Sequence, residues 1–378
     1  MKFTVNTKPL KNVIGLGIIR SNVSNFYKRS QVVQITATQD SLILNIEASS
    51  IKTRMVLHGS GDEDVVVSTM VDCLKFKQLI DSIDTTVVFI EFIPGGLSIR
   101  AGNSKFSIPQ TMDTADVSLD EPMEDFTPSE PITLRSSDWQ FVKDHQMYAI
   151  SKKEEHPVYT NVWVSQDHDI LVGDFDIGRF TYSHQGTLDT TCLLPTSLIN
   201  LFTSIPDNSV IYKVGRSYIL NVETDSYSMV TEFLPKYEDD DSVGSYNSAI
   251  ILSRLVHPDK FMTINAEPII KFLNQTNILN QSERDKILDV TFADGKLTIA
   301  NRVGSFSVDT QGVSDFTIKF NLDLFKGVIS NFDSATLNMA PLMGTSKGPD
   351  GQIIQMPVGC IFWTDKLTAM LAGGRVDV

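Results

Sequence analysis

The sequence predicts an α+β fold made of three tandem domains, each with two helices packed on antiparallel sheets. Two observations lead to this prediction. A strand–turn–helix pattern occurs three times at intervals of about 130 residues, and an extended apolar run followed by a short amphipathic helix recurs inside each copy. Repeats of this kind indicate a structure assembled from equivalent units. The predicted domains are residues 1–127, 128–255 and 256–378, the last with a C-terminal extension.

The first pattern begins each predicted domain with a strand that leads into a helix. It reads KFTVNTKPLKNV from Lys2, PITLRSSDWQFV from Pro131 and FMTINAEPIIKF from Phe261. Apolar residues coincide in four columns of these segments, and Leu10, Trp139 and Ile269 form one of the columns. Apolar spacings of three and four give a helix one buried face. The three predicted helices cover residues 8–20, 138–152 and 266–281.

The second pattern supplies the other helix of each predicted domain. It reads VVVSTMVDCLKFKQLI from Val65, TTCLLPTSLINLFTSI from Thr190 and DFTIKFNLDLFKGVIS from Asp315. Alternating apolar runs between the helices, such as 86–93, 209–214 and 288–292, predict strands. Turn residues such as Asp294-Gly295 separate these runs, so each domain is expected to hold roughly eight strands.

Composition excludes several classes of protein. No run approaches the roughly 18 apolar residues of a membrane helix, and the segment from Met1 lacks the long apolar core of a signal peptide. The three cysteines, Cys73, Cys192 and Cys360, are too few and too widely spaced for a disulfide framework or a CxxC metal site. We therefore expect a cytoplasmic protein without a membrane span.

Charge is distributed unevenly between the predicted helices and the rest of the chain. The six predicted helices together carry +4, and because the chain totals −14, the remaining segments carry −18. Helices that line a hole around DNA, inside an acidic outer wall, would show this segregation. The candidate phosphate-facing residues are Lys8, Lys11, Arg20, Lys28, Arg29, Lys143, Lys152 and Lys153. No helix-turn-helix or zinc finger is recognisable, so binding of duplex DNA is expected to be independent of base sequence.

Short motifs along the whole chain resemble those of one family. They are the opening Met1-Lys2-Phe3-Thr4-Val5, the segment Ser104-Lys105-Phe106-Ser107-Ile108, the segment Asp176-Ile177-Gly178-Arg179-Phe180 and the pair Ile278-Leu279. With these motifs the chain resembles the β subunit of bacterial DNA polymerase III, the β sliding clamp. The resemblance implies a non-catalytic processivity factor, in which two three-domain half-rings join head to tail around DNA.

The resemblance also implies a dimer interface. Phe106 and Ile108 of one protomer would pack against Ile278 and Leu279 of its partner, and Arg100 and Lys105 would add charge complementarity. A second implied site is a hydrophobic pocket in which the polymerase and the clamp loader dock short peptide motifs. Its candidate residues are Asp176, Ile177, Gly178, Arg179, Phe180 and Pro235.

The chain departs from the family pattern at this pocket and at its end. Phe175 stands where the family has threonine, and Ile177 and Gly178 stand where it has glycine and histidine. The segment 364–378 runs past the usual short terminus and has no assignment. A divergent member from a phage or mobile-element replication system would show such changes. Its pocket would then accept a different peptide motif or be partly covered by the C-terminal segment.

The sequence has no recognisable catalytic constellation, so we expect neither enzyme activity nor a cofactor. Gly15-Leu16-Gly17 lacks the third glycine of a dinucleotide fingerprint, and the six histidines form no HExxH pair. The acidic run 238–241 is interpreted as a solvated loop rather than a metal site, because consecutive carboxylates lack a rigid frame. A β-rich structural or interaction scaffold with no DNA role is the alternative, and head-to-tail association through Phe106 and Ile278 would distinguish a clamp from it.

Overall fold

The computed structural model has an α+β fold. It describes residues 1–17, 32–48, 51–111, 119, 122, 127, 130–150, 161–167, 169–174, 177–184, 188, 191–207, 209–236, 248–279, 282–310, 315–347 and 352–373. Within these ranges the chain forms seven α-helices and four antiparallel sheets. The predicted fold class is therefore confirmed.

Six of the seven helices were predicted by the two repeated patterns. The helices are α1 (Thr7–Gly17), α2 (Cys73–Asp81), α3 (Ser136–His145), α4 (Thr196–Phe202), α5 (Ser248–Arg254), α6 (Ala266–Leu279) and α7 (Leu322–Ser330). Side-chain caps define two of the starts. Asp72 accepts a hydrogen bond from the backbone N–H of Lys75 at α2, and Asn321 accepts two at α7. The sequence patterns did not predict α5.

The helix predicted for residues 138–152 is shorter than expected. It ends at His145, and a 3₁₀-helix follows at Met147–Ala149. Between them Gln146 is fully buried, and its side-chain oxygen accepts a 2.8 Å hydrogen bond from the hydroxyl of Ser183. Periodicity does not reveal this buried polar contact, which holds the chain where the α-helix ends.

The strands are numbered along the chain. They are β1 (Lys2–Asn6), β2 (Val32–Ala37), β3 (Ser41–Ala48), β4 (Ile51–His58), β5 (Ser60–Gly61), β6 (Val67–Asp72), β7 (Val87–Ile93), β8 (Gly96–Ala101), β9 (Ser104–Pro109), β10 (Ile132–Thr133), β11 (Asn161–Val164), β12 (Asp169–Asp174), β13 (Arg179–His184), β14 (Cys192–Pro195), β15 (Val210–Val214), β16 (Ser217–Glu223), β17 (Tyr227–Phe233), β18 (Met262–Asn265), β19 (Ile287–Ala293), β20 (Lys296–Ala300), β21 (Ser305–Asp309), β22 (Phe316–Asn321), β23 (Thr336–Lys347), β24 (Ile353–Trp363) and β25 (Thr368–Ala372).

One compact unit comprises Met1–Trp139 and Leu194–Lys236. It holds a five-stranded sheet in the order β5-β1-β7-β8-β9 and an eight-stranded sheet in the order β10-β15-β16-β17-β4-β3-β2-β6. The larger sheet joins strands from the first and second predicted domains through β17 and β4. Across that pair, the buried hydroxyls of Thr53 and Thr231 are hydrogen-bonded at 3.2 Å.

The second compact unit comprises Gln140–Leu193 and Tyr237–Val378. It holds an eight-stranded sheet in the order β14-β11-β12-β13-β25-β24-β23-β18 and a four-stranded sheet in the order β21-β20-β19-β22. The unassigned C-terminal segment thus supplies β25, which lies inside the larger sheet between β13 and β24. Each large sheet contains strands from two predicted domains, so the two compact units do not correspond to the three predicted domains. The three domain boundaries therefore stay predictions.

The repeated apolar columns form the cores. In the first copy Phe3 and Val5 on β1 and Leu10 on α1 are buried. Their counterparts in the later copies include Trp139 and Ile269, which are both 0% exposed. Each copy is a strand followed by a helix, as predicted. The apolar face of each helix is expected to pack on a sheet, because it must be buried against another element.

Candidate functional sites

Three of the predicted phosphate-facing residues lie within the described part of the chain. Lys8 is exposed on the first turn of α1, and Lys143 is exposed on α3. Lys11 is partly buried, and its Nζ donates a 2.9 Å hydrogen bond to the backbone oxygen of Asp81 at the end of α2. Lys8 and Lys11 both line a cavity of about 530 Å³ beside the start of α1. The other predicted residues, Arg20, Lys28, Arg29, Lys152 and Lys153, lie outside the described residues.

The first half of the predicted dimer interface lies on β9, an outer strand of the five-stranded sheet. Phe106 is 38% exposed, and Arg100 and Lys105 are exposed beside it. Ile108 is only 5% exposed and packs inside its own protomer. Within the described residues, β9 is therefore an outermost strand that exposes one large aromatic side chain.

The second half of the predicted interface lies at the end of α6. The body of this helix buries Ile269 and Leu273, but Ile278 and Leu279 are 82% and 58% exposed. The outer strand β21 belongs to the same unit, and its Phe306 stacks on Phe272 of α6 at 5.8 Å between ring centroids. The sequence prediction missed β21, although the alternation of Phe306 and Val308 is a strand signal.

The predicted peptide pocket falls on the turn between β12 and β13. Gly178 has a φ of +60°, and a Cβ placed on it would lie 2.4 Å from the Cβ of Ala372 on β25. Glycine is required there both by the left-handed backbone and by the close approach of β25. Ile177 is partly buried in this turn, and Asp176 lies outside the described residues.

Arg179 directs its guanidinium over the ring of Tyr148, with 5.4 Å between the carbon Cζ and the ring centroid. Burial lowers the pKa of Arg179, while the negative charge of Asp174 acts in the opposite direction. The Tyr148 phenol is itself buried, which raises its pKa. The side chain of Arg179 is thus partly buried, and only part of its guanidinium is accessible to a ligand.

Phe180 forms part of an apolar floor. It is 3% exposed and packs with the side chains of Trp163, Leu171, Leu193, Ile251, Leu255 and Met370. Ile251 and Leu255 come from α5 and the residue after it, and Met370 comes from β25. The sequence prediction missed these three residues, because neither α5 nor β25 belongs to the repeated patterns. Pro235 is buried and belongs to the first unit.

A groove of about 430 Å³ lies beside this floor. It is lined by residues 182–184 of β13, residues 255–257 after α5, and residues 364–368. Tyr182 and Phe180 are two residues apart on β13, so their side chains share one face of the sheet. Val256 is 69% exposed at the rim. The groove therefore combines an apolar floor with an accessible rim, as peptide-binding sites do.

Polar contacts hold the walls of the groove. The carboxylate of Asp169 accepts a 2.8 Å hydrogen bond from the Tyr182 hydroxyl and lies 2.8 Å from Nδ1 of His184. Burial, together with that hydrogen bond, raises the pKa of Tyr182 to about 12. On the opposite wall His257 stacks on Trp363 at 4.7 Å, and its Nε2 lies 2.8 Å from the hydroxyl of Thr368. Burial lowers the pKa of His257.

Two further features of the described residues concern metal-binding side-chain groups and membrane-spanning helices. Among the described residues, no group of three or more His, Cys, Asp or Glu side chains is arranged to hold a metal ion. None of the helices in those ranges combines the length and the apolar composition that a membrane span requires.

Solved structures match this chain over its full length. A DNA polymerase III β subunit from Thermotoga maritima is 13% identical, with a TM-score of 0.74 and 99% of each chain covered. A DNA polymerase sliding clamp from Caulobacter crescentus is 13% identical, with a TM-score of 0.74 and 100% of each chain covered. A sliding clamp from Bacillus subtilis is 14% identical, with a TM-score of 0.70, covering 100% of this chain and 99% of that one. No family model and no curated protein matches the sequence. The chain has the sliding-clamp fold.

Proposed function

We propose that this protein is a DNA sliding clamp, a non-catalytic processivity factor that encircles duplex DNA and tethers a DNA polymerase. The observation that carries the proposal is the match of the whole chain to sliding clamps, which covers 99–100% of this sequence. The separation of charge supports it independently, since the acidic residues are concentrated outside the predicted helices.

Contact with DNA would be made through phosphates. Lys8 and Lys143 are exposed on α1 and α3, two helices that begin successive repeats. Lysines that neutralise phosphates release counterions, so binding of this kind depends on salt and ignores base sequence. Retention on circular DNA would then depend on closure of the ring together with these phosphate contacts.

Ring closure would use one surface from each compact unit. We assign β9 with Phe106 to this role in the first unit and the exposed tip of α6, with Ile278 and Leu279, in the second. The outer strand β21 belongs to the same unit as α6, with Phe306 stacked on Phe272, and would give the interface a second strand for β9 to meet. Burying each large apolar side chain contributes about 1.5–3 kcal/mol, and closed head-to-tail contacts make a ring.

The partner peptide would occupy the groove between β13, residues 255–257 and residues 364–368. Its apolar floor includes Phe180, which the sequence analysis assigned to the pocket. An extended peptide of the polymerase or clamp loader could place apolar anchors over this floor and reach His257 or His184 at the walls. Since α5 and β25 shape the groove, their residues are expected to determine which peptide motif it accepts.

The test is whether retention of the protein depends on the topology of the DNA. A clamp is expected to stay on nicked circular DNA after loading and to leave when the circle is cut, because only the closed circle prevents sliding off. The measurement is the fraction of protein that co-elutes with DNA before and after linearisation. Equal retention on circular and linear DNA would overturn the proposal and favour ordinary phosphate binding or a scaffold.

A further inference from the structure

The cavity of about 530 Å³ at the start of α1 lies beside the segment that follows α2. It is lined by residues 6–9, Lys11, Asn12 and residues 83–86. All of these residues belong to the first compact unit. The charged side chains of the lining are Lys8, Lys11 and Asp84. The lining therefore has more positive than negative charge, in a chain whose net charge is −14.

Thr7, the first residue of α1, has a buried hydroxyl without a partner. The residue lines the cavity but is only 4% exposed, and among the described residues its Oγ1 has no hydrogen-bond partner. Hydroxyl side chains at helix starts accept hydrogen bonds from N–H groups two or three residues on, and the residue two on is Pro9, which has no N–H. A buried hydroxyl left unpaired costs free energy, so a ligand that binds it would remove that cost.

The equivalent residue of the next repeat binds an oxyanion. Thr7 and Ser136 occupy the same position of the repeated strand–helix pattern, and Ser136 is the first residue of α3. The backbone N–H and the hydroxyl of Ser136 both donate to Oδ1 of Asp207, at 2.9 and 2.6 Å. These hydrogen bonds lower the pKa of Asp207, so its carboxylate is ionised at neutral pH. A helix start of this pattern can therefore hold a negatively charged oxygen.

The surroundings of Thr7 also favour a negative charge. The N-terminal end of a helix carries a partial positive charge, and α1 has 11 residues. Lys8 is exposed on the first turn, whereas Lys11 is held by its 2.9 Å hydrogen bond to the backbone oxygen of Asp81. Asp84 opposes an anion, but it is exposed to solvent, which screens its charge. An oxyanion at this helix start would thus meet one hydroxyl donor and two cations.

We propose that Thr7 and Lys8, at the start of α1, bind a phosphate group of the DNA backbone. The inference rests on the proposed function, which supplies duplex DNA as the ligand. The hydroxyl of Thr7 donates to a phosphate oxygen, and the ammonium of Lys8 neutralises the charge. The buried hydroxyl thereby obtains the partner that it lacks among the described residues. Since every nucleotide carries a phosphate, the contact is independent of base sequence.

The experiment compares Thr7→Val with Thr310→Val in the full chain. Valine has nearly the shape of threonine but no hydroxyl. Thr310 is the matched control, because its Oγ1 is likewise buried without a partner among the described residues but belongs to the second unit. Both changes remove an unpaired hydroxyl, so each should leave the melting temperature unchanged or raise it.

Only Thr7→Val is expected to weaken binding of a short linear DNA duplex, measured by fluorescence anisotropy at low salt. The expected loss is about tenfold, as for one hydrogen bond to a charged group. Lys8→Gln separates the charge from the hydroxyl. It should reduce the slope of the logarithm of the binding constant against the logarithm of the salt concentration by roughly 0.9. Thr7→Val should leave that slope unchanged, because it removes no charge.

The outcomes separate this site from the ring. If the unchanged protein is retained on nicked circular DNA but a folded Thr7→Val binds the linear duplex as tightly as the unchanged protein, the site is overturned and the proposed function stands. If Thr7→Val binds the duplex more weakly than Thr310→Val and the unchanged protein is not retained on circles, the site stands and the ring fails. Binding of inorganic phosphate or of a polyglutamate peptide that depends on Thr7, without such dependence for the duplex, would overturn the assignment to DNA.

Discussion

Helices α3 and α6 open equivalent repeats but are alike only on their buried faces. Trp139 and Ile269 occupy the same column of the repeat, and both are 0% exposed. Outside that column α3 exposes Lys143, whereas α6 ends in the exposed pair Ile278 and Leu279. Packing against a sheet determines the shared column, and the residues outside it differ because they face different partners in the proposed clamp.

The largest expected effect comes from the shared column. Trp139→Ala should lower the free energy of unfolding by about 3–5 kcal/mol, since it leaves a cavity beside Phe202, whose ring centroid lies 4.9 Å away. Ile278→Ala, at an apolar but exposed position, should change the free energy of unfolding of the separated protomer by less than about 0.5 kcal/mol. Urea unfolding of both variants measures this contrast. Similar losses in the two variants would contradict the distinction between core and interface.

The next effect concerns association. Ile278→Lys together with Leu279→Lys should halve the molar mass, because two charges would be placed in a patch that a partner covers. The stability of the protomer should be unchanged, as both side chains are exposed. Asn274→Lys adds a charge to an exposed position earlier on α6 and serves as the control. Sedimentation velocity gives the result, and a variant that sediments like the parent would remove α6 from the interface.

A smaller effect is expected at the exposed lysines of α1 and α3. Lys8→Ala with Lys143→Ala should weaken retention on circular DNA. A plot of the logarithm of the DNA-binding constant against the logarithm of the salt concentration should also become less steep. Its slope should decrease by roughly 0.9 for each phosphate that is no longer neutralised. Lys296→Ala on β20 is the matched control, since it removes an exposed lysine from a sheet. A slope that responds equally to both changes would show general charge attraction instead of a DNA-facing surface.

The smallest effect is a pH dependence at the groove, where side chains are intermediate between core and surface. Burial lowers the pKa of His257 from 6.5, so the unfolded chain takes up the proton more readily than the folded one. The free energy of unfolding should therefore fall as pH drops below about 6.5. His257→Gln should reduce this loss, which melting temperatures at pH 7.5 and pH 5.5 would reveal. An identical pH response in the variant would mean that His257 is not involved.

Much of the candidate site lay beyond sequence reasoning for identifiable reasons. Ile278 and Leu279 were assigned to the interface because the family motif marks them; both are exposed, and their interface role stays a prediction. The floor residues Ile251 and Met370 were missed, since α5 and β25 have no counterpart in the repeats. Ile108 was assigned to the interface by its motif, but its side chain points into its own protomer.

The amino-acid sequence by itself determined the repeated strand–helix units, their buried columns and the α+β class, because these depend on local periodicity that any copy of the pattern must satisfy. Only the tertiary structure decided which strands share a sheet, where Thr368–Ala372 inserts and which of the described strands are outermost. Those features depend on pairings between segments far apart in the chain. Backbone hydrogen bonds of that kind carry no residue-specific signal, and so periodicity cannot predict them.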